Sequence, residues 1–232
     1  TEANKAYAPL FKLDRGSRES AAAAEAATQA ESVVAIFDAR KDELTPVSSP
    51  AAFRDARQMA VIVAQAVRLR APGAGSSYRD QMMAKNLEWL MKEVYPNEKV
   101  VVWAHNGHVS KAAREQFRPM GNWLAKSLGA DFYSLGFAIH TGSVRAVVRE
   151  GGRMTGLKNS PIPASAPGTG TAVLSAAKLP LFFLNFKDQS GPLAQWLAGN
   201  HEFRECGSMW APEAPESMVR EQRLTESFNG LI

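Results

Sequence analysis

The sequence predicts an α/β fold: a mixed or parallel sheet flanked by helices, with a helical hairpin in its first part. Three observations carry this. Alanine-rich and 3.6-period segments fill much of the first hundred residues. The apolar runs "KVVVW" and "LPLFFLNF" have the look of strands buried on both faces. From the first of these runs onward, helix and strand patterns alternate along the chain.

Residues 17–37 are dominated by alanine, with Val33, Val34, Ile36 and Phe37 as an apolar end, and read as helix. A Pro/Ser break over 45–50 follows. Residues 51–70 are helical again, with Phe53, Ala56, Ala60, Val63, Ala64 and Val67 at three- and four-residue steps, so the two segments pair as an antiparallel hairpin. "APGAGSS" is a loop. A third helix spans 78–95, capped by Ser76 or Ser77, with Met83, Leu87, Leu90 and Val94 as its core stripe and Pro96 as its stop.

The strand at 99–103 follows at once. Residues 111–117 and 120–128 read as helix interrupted at Pro119 and closed by Gly129. "FYSLGFAIHTGSVRAVV" reads as two strands around Thr141 and Gly142. Residues 151–171, rich in Gly, Pro and Ser, read as an extended loop able to cover a bulky substrate. A strand at 179–186, a short helix at 193–197 and a last strand in "SFNGLI" complete the chain.

The 232 residues, 45% of them hydrophobic, suffice for one sizeable domain or one domain with a helical subdomain. Charged residues are 22%, the net charge is +4, and the two signs are interspersed, which argues against nucleic acid as a partner. No apolar run approaches the ~18 residues of a membrane span. The start at Thr1 has neither the basic nor the apolar region of a signal peptide, so the chain reads as soluble and cytoplasmic. A single cysteine, Cys206, excludes an intrachain disulfide and reads as a half-buried small residue.

The chemistry concentrates in "AHNGH". His105 and His108 stand at the carboxyl end of an expected strand, where open α/β sheets bind ligands, and Gly107 permits a tight turn there. Two imidazoles at one strand end can divide the work of activating water and protonating a leaving group. A metal site built on the pair, or imidazoles that only satisfy backbone groups, are the other readings. The zinc-protease spacing is absent, and no Cys, Asp or Glu cluster stands nearby to complete a metal site. No G-x-S-x-G elbow is present, which disfavours a serine acyl-enzyme and leaves water as the nucleophile. Arg79 and Asn86, seven apart on the third helix, share a face and call for partners, either the neighbouring strand loop or substrate. His140 reads as a satisfied or edge histidine and His201 as a surface loop residue. Asp131, Glu150 and Glu202 read as solvated acids.

Taken together, "YRDQMMAKNLEWLMKEVYPNEKVVVWAHNGHVSK" and "MGNWLAKSLGADFYSLGFAIHTGSV" resemble the erythromycin esterase family. Its pattern includes an R-[DE]-x-x-M-A-x-N helix, an A-H-N-x-H strand end and an M-G-x-x-L segment. "LFFLNF" and "SFNGLI" look like its later strands. The resemblance implies an erythromycin esterase-like α/β fold, with residues 1–75 as the helical insertion region and 76–232 as the α/β portion of the catalytic domain.

It also implies hydrolysis of an ester or macrolide lactone by histidine-activated water, with no cofactor and no essential metal. His105 and His108 would be catalytic, while Asn106, Arg79 and Asn86 would bind substrate or support the site. Some relatives carry labels linked to succinoglycan biosynthesis. The family's N-terminal G-E-x-x-H-G block, and a Glu on a following strand, have no counterpart here, so the sequence reads as the C-terminal portion of a longer enzyme. Asn229 stands where an acidic residue is expected in the final strand. The expected partner is a small-molecule ester, with neither nucleic acid nor membrane. The competing expectations are a non-catalytic fragment or binding module, and a metal-dependent hydrolase using the histidine pair.

Overall fold

A computed structural model describes residues 20–232, so the first three residues of the expected helix, 17–19, and the earlier part of the 1–75 region lie outside the described residues. The chain divides into two compact units, Thr1–Glu98 and Lys99–Ile232. The third helix therefore falls within the first unit.

In the first unit, α1 (Ala21–Ala39) starts where the Ser20 hydroxyl accepts from the Ala23 N–H at 3.1 Å, satisfying a backbone donor that a helix start leaves unpaired. A short α2 (Lys41–Leu44) precedes the break. α3 (Pro50–Arg68) is capped the same way by Ser49 and has proline in its first turn, where the missing N–H costs nothing. Ala26, Ala27 and Ala30 of α1 bury themselves against Ala64 and Val67 of α3 and Ala71. Small side chains on both faces let the two backbones approach closely.

The antiparallel register is marked by two ion pairs. Arg57 meets Asp38 and Arg68 meets Glu31, both with paired guanidinium N–H donors. The hydrogen bonds from Arg57 hold the Asp38 carboxyl below its ordinary range. Pairs this exposed contribute at most about 1 kcal/mol each, so the alanine interface carries the packing. Ala56, expected on the core stripe, is exposed, and Gln58 is buried in its stead.

α4 (Ser76–Trp89) begins after Gly75, whose extended backbone takes the cap position without a side-chain bond, so Ser76 and Ser77 lie inside the first turn. It ends in a π-turn, Leu90–Val94, before Pro96. The expected stripe of Met83, Leu87, Leu90 and Val94 is only half-buried, while Asp80 and Ala84 are buried. Asn86 donates to the Gln65 side chain at 2.8 Å and accepts from Gln58 at 3.0 Å. The Asn86→Ala substitution would leave both glutamine amides without this partner and is expected to cost about 1–3 kcal/mol, read as a lower midpoint in urea unfolding.

The second unit departs most from expectation at its first segment. Residues 100–103 form no strand and are exposed. Apolar residues in sequence signal burial only if a neighbouring layer covers them. The expected helix at 111–117 is likewise irregular, closed by a bridge between Arg114 and Phe117. α5 (Asn106–Val109) is one turn, and α6 (Met120–Leu128) starts at Pro119 and closes at Gly129 with φ +56°.

Three small sheets follow. β1 (Leu135–Gly136), β8 (Gly230–Leu231) and β4 (Leu184–Asn185) form the first in the order β1-β8-β4, with β1 parallel and β4 antiparallel to the central β8. Of the expected strand at 179–186 only this end pairs, the Phe186 N–H adding a bond to the Asn229 carbonyl at 3.0 Å, while Leu179, Leu181 and Phe183 meet no ladder and stay exposed. β2 (Gly142–Glu150) and β3 (Arg153–Ile162) form a hairpin, joined by parallel β6 (Met209–Trp210). Thus the expected substrate-covering loop is half strand. Gly151 and Gly152, at φ +53° and +77°, make the tight reversal that its glycines signal. The loop after β3 is pinned by the buried Arg204 guanidinium, which donates to the carbonyls of His140 and Pro163. β5 (Asn200–Arg204) and β7 (Val219–Arg223) pair antiparallel as the third sheet.

α7 (Gly170–Ser175), α8 (Gly191–Ala198) and α9 (Leu224–Ser227) complete the unit. One core gathers Leu197, Phe203, Leu224, Phe228 and Leu231, with Val109 of α5 packed on it. A second joins Ala146, Ile162 and Trp210, with Cys206 at its margin. Burial pushes the Cys206 thiol above its ordinary pKa, the nearby Arg204 charge only partly offsetting it. The thiolate fraction is thereby cut, and alkylation by iodoacetamide at pH 8, followed by mass spectrometry, is expected to run slower than for free cysteine.

Candidate active site

His105 is the residue at which the exposed segment turns into α5. Its Nδ1 accepts from the Gly107 N–H at 3.1 Å, the capping role that serine or asparagine usually fills. A ring nitrogen that accepts carries no proton, so the neutral imidazole bears its proton on Nε2. His105 lines a cavity of about 150 Å³ together with Glu205, Gly207, Ser208, Met209, Met218 and Arg220. The backbone there comes close: a Cβ on Gly207 would lie 3.4 Å from Nε2.

Further interactions fix the turn. The Asn106 amide donates to the Phe137 carbonyl at 2.6 Å and accepts from the Phe137 N–H at 2.9 Å, substituting for a strand partner at the end of β1. Ser134, buried just before β1, donates its hydroxyl to the Val109 carbonyl at 2.6 Å. Asn122 of α6 donates to the Lys111 carbonyl, and the Lys111 N–H donates to the Ser227 carbonyl at 2.8 Å. Gly121 lies directly against the main chain of Val109 and Ser110. His108 is half-buried in α5, and its N–H donates to the His105 carbonyl at 2.8 Å.

Glu205 is the residue sequence reasoning missed. It lines the His105 cavity and also a second one of about 230 Å³, whose walls include Asn106, Ser110 and Arg114. Its Oε1 accepts from Arg114 at 2.9 Å and from Gln222 at 2.8 Å. Its position beside His105 depends on a chain crossing of a hundred residues, which no local spacing reveals.

Of the candidates, His105, Asn106 and His108 share one turn, while Arg79 and Asn86 lie on α4 in the helical unit, Asn86 held by the two glutamines. His140 has its Nδ1 buried without a partner, and His201 lies on a strand, stacked on Trp196 at 4.3 Å with Nε2 on the Trp196 carbonyl, rather than in a surface loop. Among the described residues, no three His, Cys, Asp or Glu side chains cluster as a metal site, and no helix is long and apolar enough to cross a membrane.

A mixed α/β protein with a clamped histidine turn is the class these features define. The family described as erythromycin esterase matches residues 1–232, and the chain belongs to that family. It is 28% identical over 165 residues to the Bacillus subtilis protein named "Putative hydrolase YbfO", covering 66% of this chain and 33% of that protein. It is 34% identical over 77 residues to erythromycin esterase type II of Escherichia coli, covering 31% and 18%.

Among solved structures it is similar to a Bacillus cereus protein, with TM-score 0.75, 21% identity and coverage of 95% of this chain and 52% of that one. It is also similar to a succinoglycan biosynthesis protein, with TM-score 0.77, 16% identity and coverage of 99% and 55%. An open-conformation mutant of the erythromycin esterase EreC matches at TM-score 0.62 and 17% identity, with the same coverage of 99% and 55%. The chain thus spans about half the length of these solved relatives and a third or less of the two sequence relatives. The family, the two sequence relatives and EreC carry hydrolase or esterase names.

Proposed function

We propose that this chain carries the histidine centre of a carboxylic ester hydrolase that opens an ester or macrolide lactone with water and without an essential metal. The observation that carries the reading is the geometry of His105, which accepts through Nδ1, leaving Nε2 as its donor, and lines a cavity shared with Glu205. A fixed N–H donor suits the oxyanion that forms when water adds to an ester carbonyl.

In this reading His108 takes a proton from the attacking water, and the new C–O bond forms as the carbonyl oxygen gains negative charge beside His105. Collapse of the tetrahedral species breaks the ester C–O bond, and the departing alkoxide takes the proton back from His108. The products are a carboxylic acid and an alcohol. Asn106 holds the turn through its two hydrogen bonds to Phe137. The whole catalytic domain would include a portion preceding residues 76–232.

The test is mass spectrometry of macrolide and simple ester substrates incubated with the longest polypeptide its gene encodes, with and without chelator. Turnover that survives the chelator supports the reading. Turnover lost with the chelator moves the assignment to a metal-dependent hydrolase. A binding module is the second reading, favoured by the exposed apolar residues 100–103, and predicts substrate or partner binding with no turnover.

A further inference from the structure

The cavity of about 230 Å³ beside the histidine turn takes no part in the hydrolytic steps. Its walls come from four places distant in the chain: the turn itself, residues 112–114, the β5–β7 pair and α9. It meets the smaller cavity of His105 at Glu205, which lines both. Pockets that hold a whole drug-sized ligand start at about 300 Å³, so this one suits a single arm of a larger molecule.

Its charges are largely cancelled by pairing. Arg114 donates to Glu205 at 2.9 Å and Arg223 to Glu226 at 3.2 Å, while Glu221, bonded by the Asn200 amide at 2.8 Å, is exposed on β7, where solvent screens it. Such a wall has little net pull on a phosphate or a carboxylate. What it offers is unspent hydrogen-bonding capacity. Glu205 takes both of its bonds, from Arg114 and Gln222, on Oε1, so that among the described residues its Oε2 accepts none. Gln222 Oε1 and Glu221 Oε1 likewise accept none. Ser110 Oγ accepts from the Ala112 N–H at 3.1 Å and keeps its hydroxyl proton to give, as Arg114 keeps the hydrogens of Nη1 and Nε. Donors and acceptors thus interleave over one small surface, with Ala112 and Ala113 as its apolar part.

We infer that this cavity is the subsite for the alcohol arm of the ester, and that the alcohol is a polyol, one of whose several hydroxyls is esterified. The choice of arm rests on the hydrolase reading; the hydroxyl-rich chemistry rests on the cavity walls alone. A hydroxyl both donates and accepts, which matches an interleaved wall. The free hydroxyls donate to Glu205 Oε2 and Gln222 Oε1 and accept from Ser110 and Arg114, and the C–H face of the carbon skeleton lies on the alanine methyls. A hydrocarbon arm strips water from the same groups and returns no bond.

The experiment gives the longest polypeptide the gene encodes two acetate esters matched in acyl group, one of glucose and one of hexanol. The expected kcat/KM for the glucose ester is about 10–100-fold the higher, the worth of a hydrogen bond to a charged group. Q222L removes an acceptor, and A113W fills the cavity from an exposed position that the fold does not depend on. Each is expected to cut the preference about tenfold. Equal kcat/KM for the two esters, or a preference that survives both variants, overturns the inference. Saturation-transfer NMR with methyl glucoside as the probe is read beside it and needs no turnover. The parent is expected to show transfer to the glucoside that A113W lacks, and absence of A113W-sensitive transfer removes the site. A polypeptide that binds the glucoside in this way and cleaves no ester keeps the polyol site and loses the hydrolase reading, so the two failures are distinct.

Discussion

Replacing His105 with alanine is expected to lower ester turnover about 10²–10⁴-fold, the range contributed by a positioned acid, base or proton donor. Alanine removes two things at once: the imidazole that lines the cavity and the Nδ1 acceptor that caps the Gly107 N–H. The H105N variant separates them. Asparagine is a good capping residue, so the turn keeps an acceptor for Gly107 while the imidazole is lost.

Both variants should therefore lose activity, and only H105A should also lose about 0.5–2 kcal/mol of stability. The readouts are kcat and kcat/KM on the substrate that the parent cleaves, beside thermal melting. The side chain is exposed, so neither substitution opens a cavity in the core. If H105N retains activity within a few-fold of the parent, His105 is a capping residue and the catalytic assignment falls.

The site was legible where its signal is local. "AHNGH" places two imidazoles, an amide and a flexible residue within five positions, and the structure puts them in one clamped turn. Asn229 illustrates the opposite case. In sequence it is only a mismatch to an expected acid. In the fold its side chain accepts from the Ser134 N–H at 2.9 Å and its own N–H donates to the Ser134 carbonyl at 2.7 Å, setting β8 beside the strand that clamps the histidines. Ser134 and Glu205 gave no signal for the same reason, since their partners are distant in the chain.

Strand assignments failed in two directions, each for a physical cause. Residues 100–103 and 179–183 have the composition of buried strands, yet burial belongs to a neighbour, and among the described residues no neighbour covers them. Residues 153–162 have the composition of a loop, yet a Gly-Gly reversal and a ladder to β2 make them a strand, with Ser160 and Ile162 buried. Helices fared better because their stabilising pattern is internal. The hairpin of α1 and α3 followed from alanine content and period alone, and what it hid was polar: Gln58 and Asn86 bond within the helical unit, so their burial required no apolar signature.

The second large effect is expected at Gly121, the glycine of the M-G-x-x-L segment. It occupies the second position of α6 with ordinary helical backbone, where alanine is intrinsically better by about 1 kcal/mol. Space decides otherwise. A Cβ there would fall 2.1 Å from the Val109 carbonyl oxygen and 2.6 Å from that of Ser110. These are main-chain atoms that no rotamer change can move aside, so either α6 or the histidine turn must shift.

Overpacking of this kind costs about 1–3 kcal/mol, and the upper end applies because backbone must yield. The shift falls on the Val109 carbonyl that Ser134 holds, one residue beyond His108. If the turn is catalytic as proposed, misplacing it by about an ångström costs on the order of a hundredfold in rate. G121A is therefore expected to combine a melting loss of several degrees with a kcat about a hundredfold down. Serine, no smaller at Cβ, should do the same. An alanine variant with parental melting and parental kcat would mean that α6 is free to slide on the turn, and the clamp would then have to reside in Asn106 and Ser134 alone.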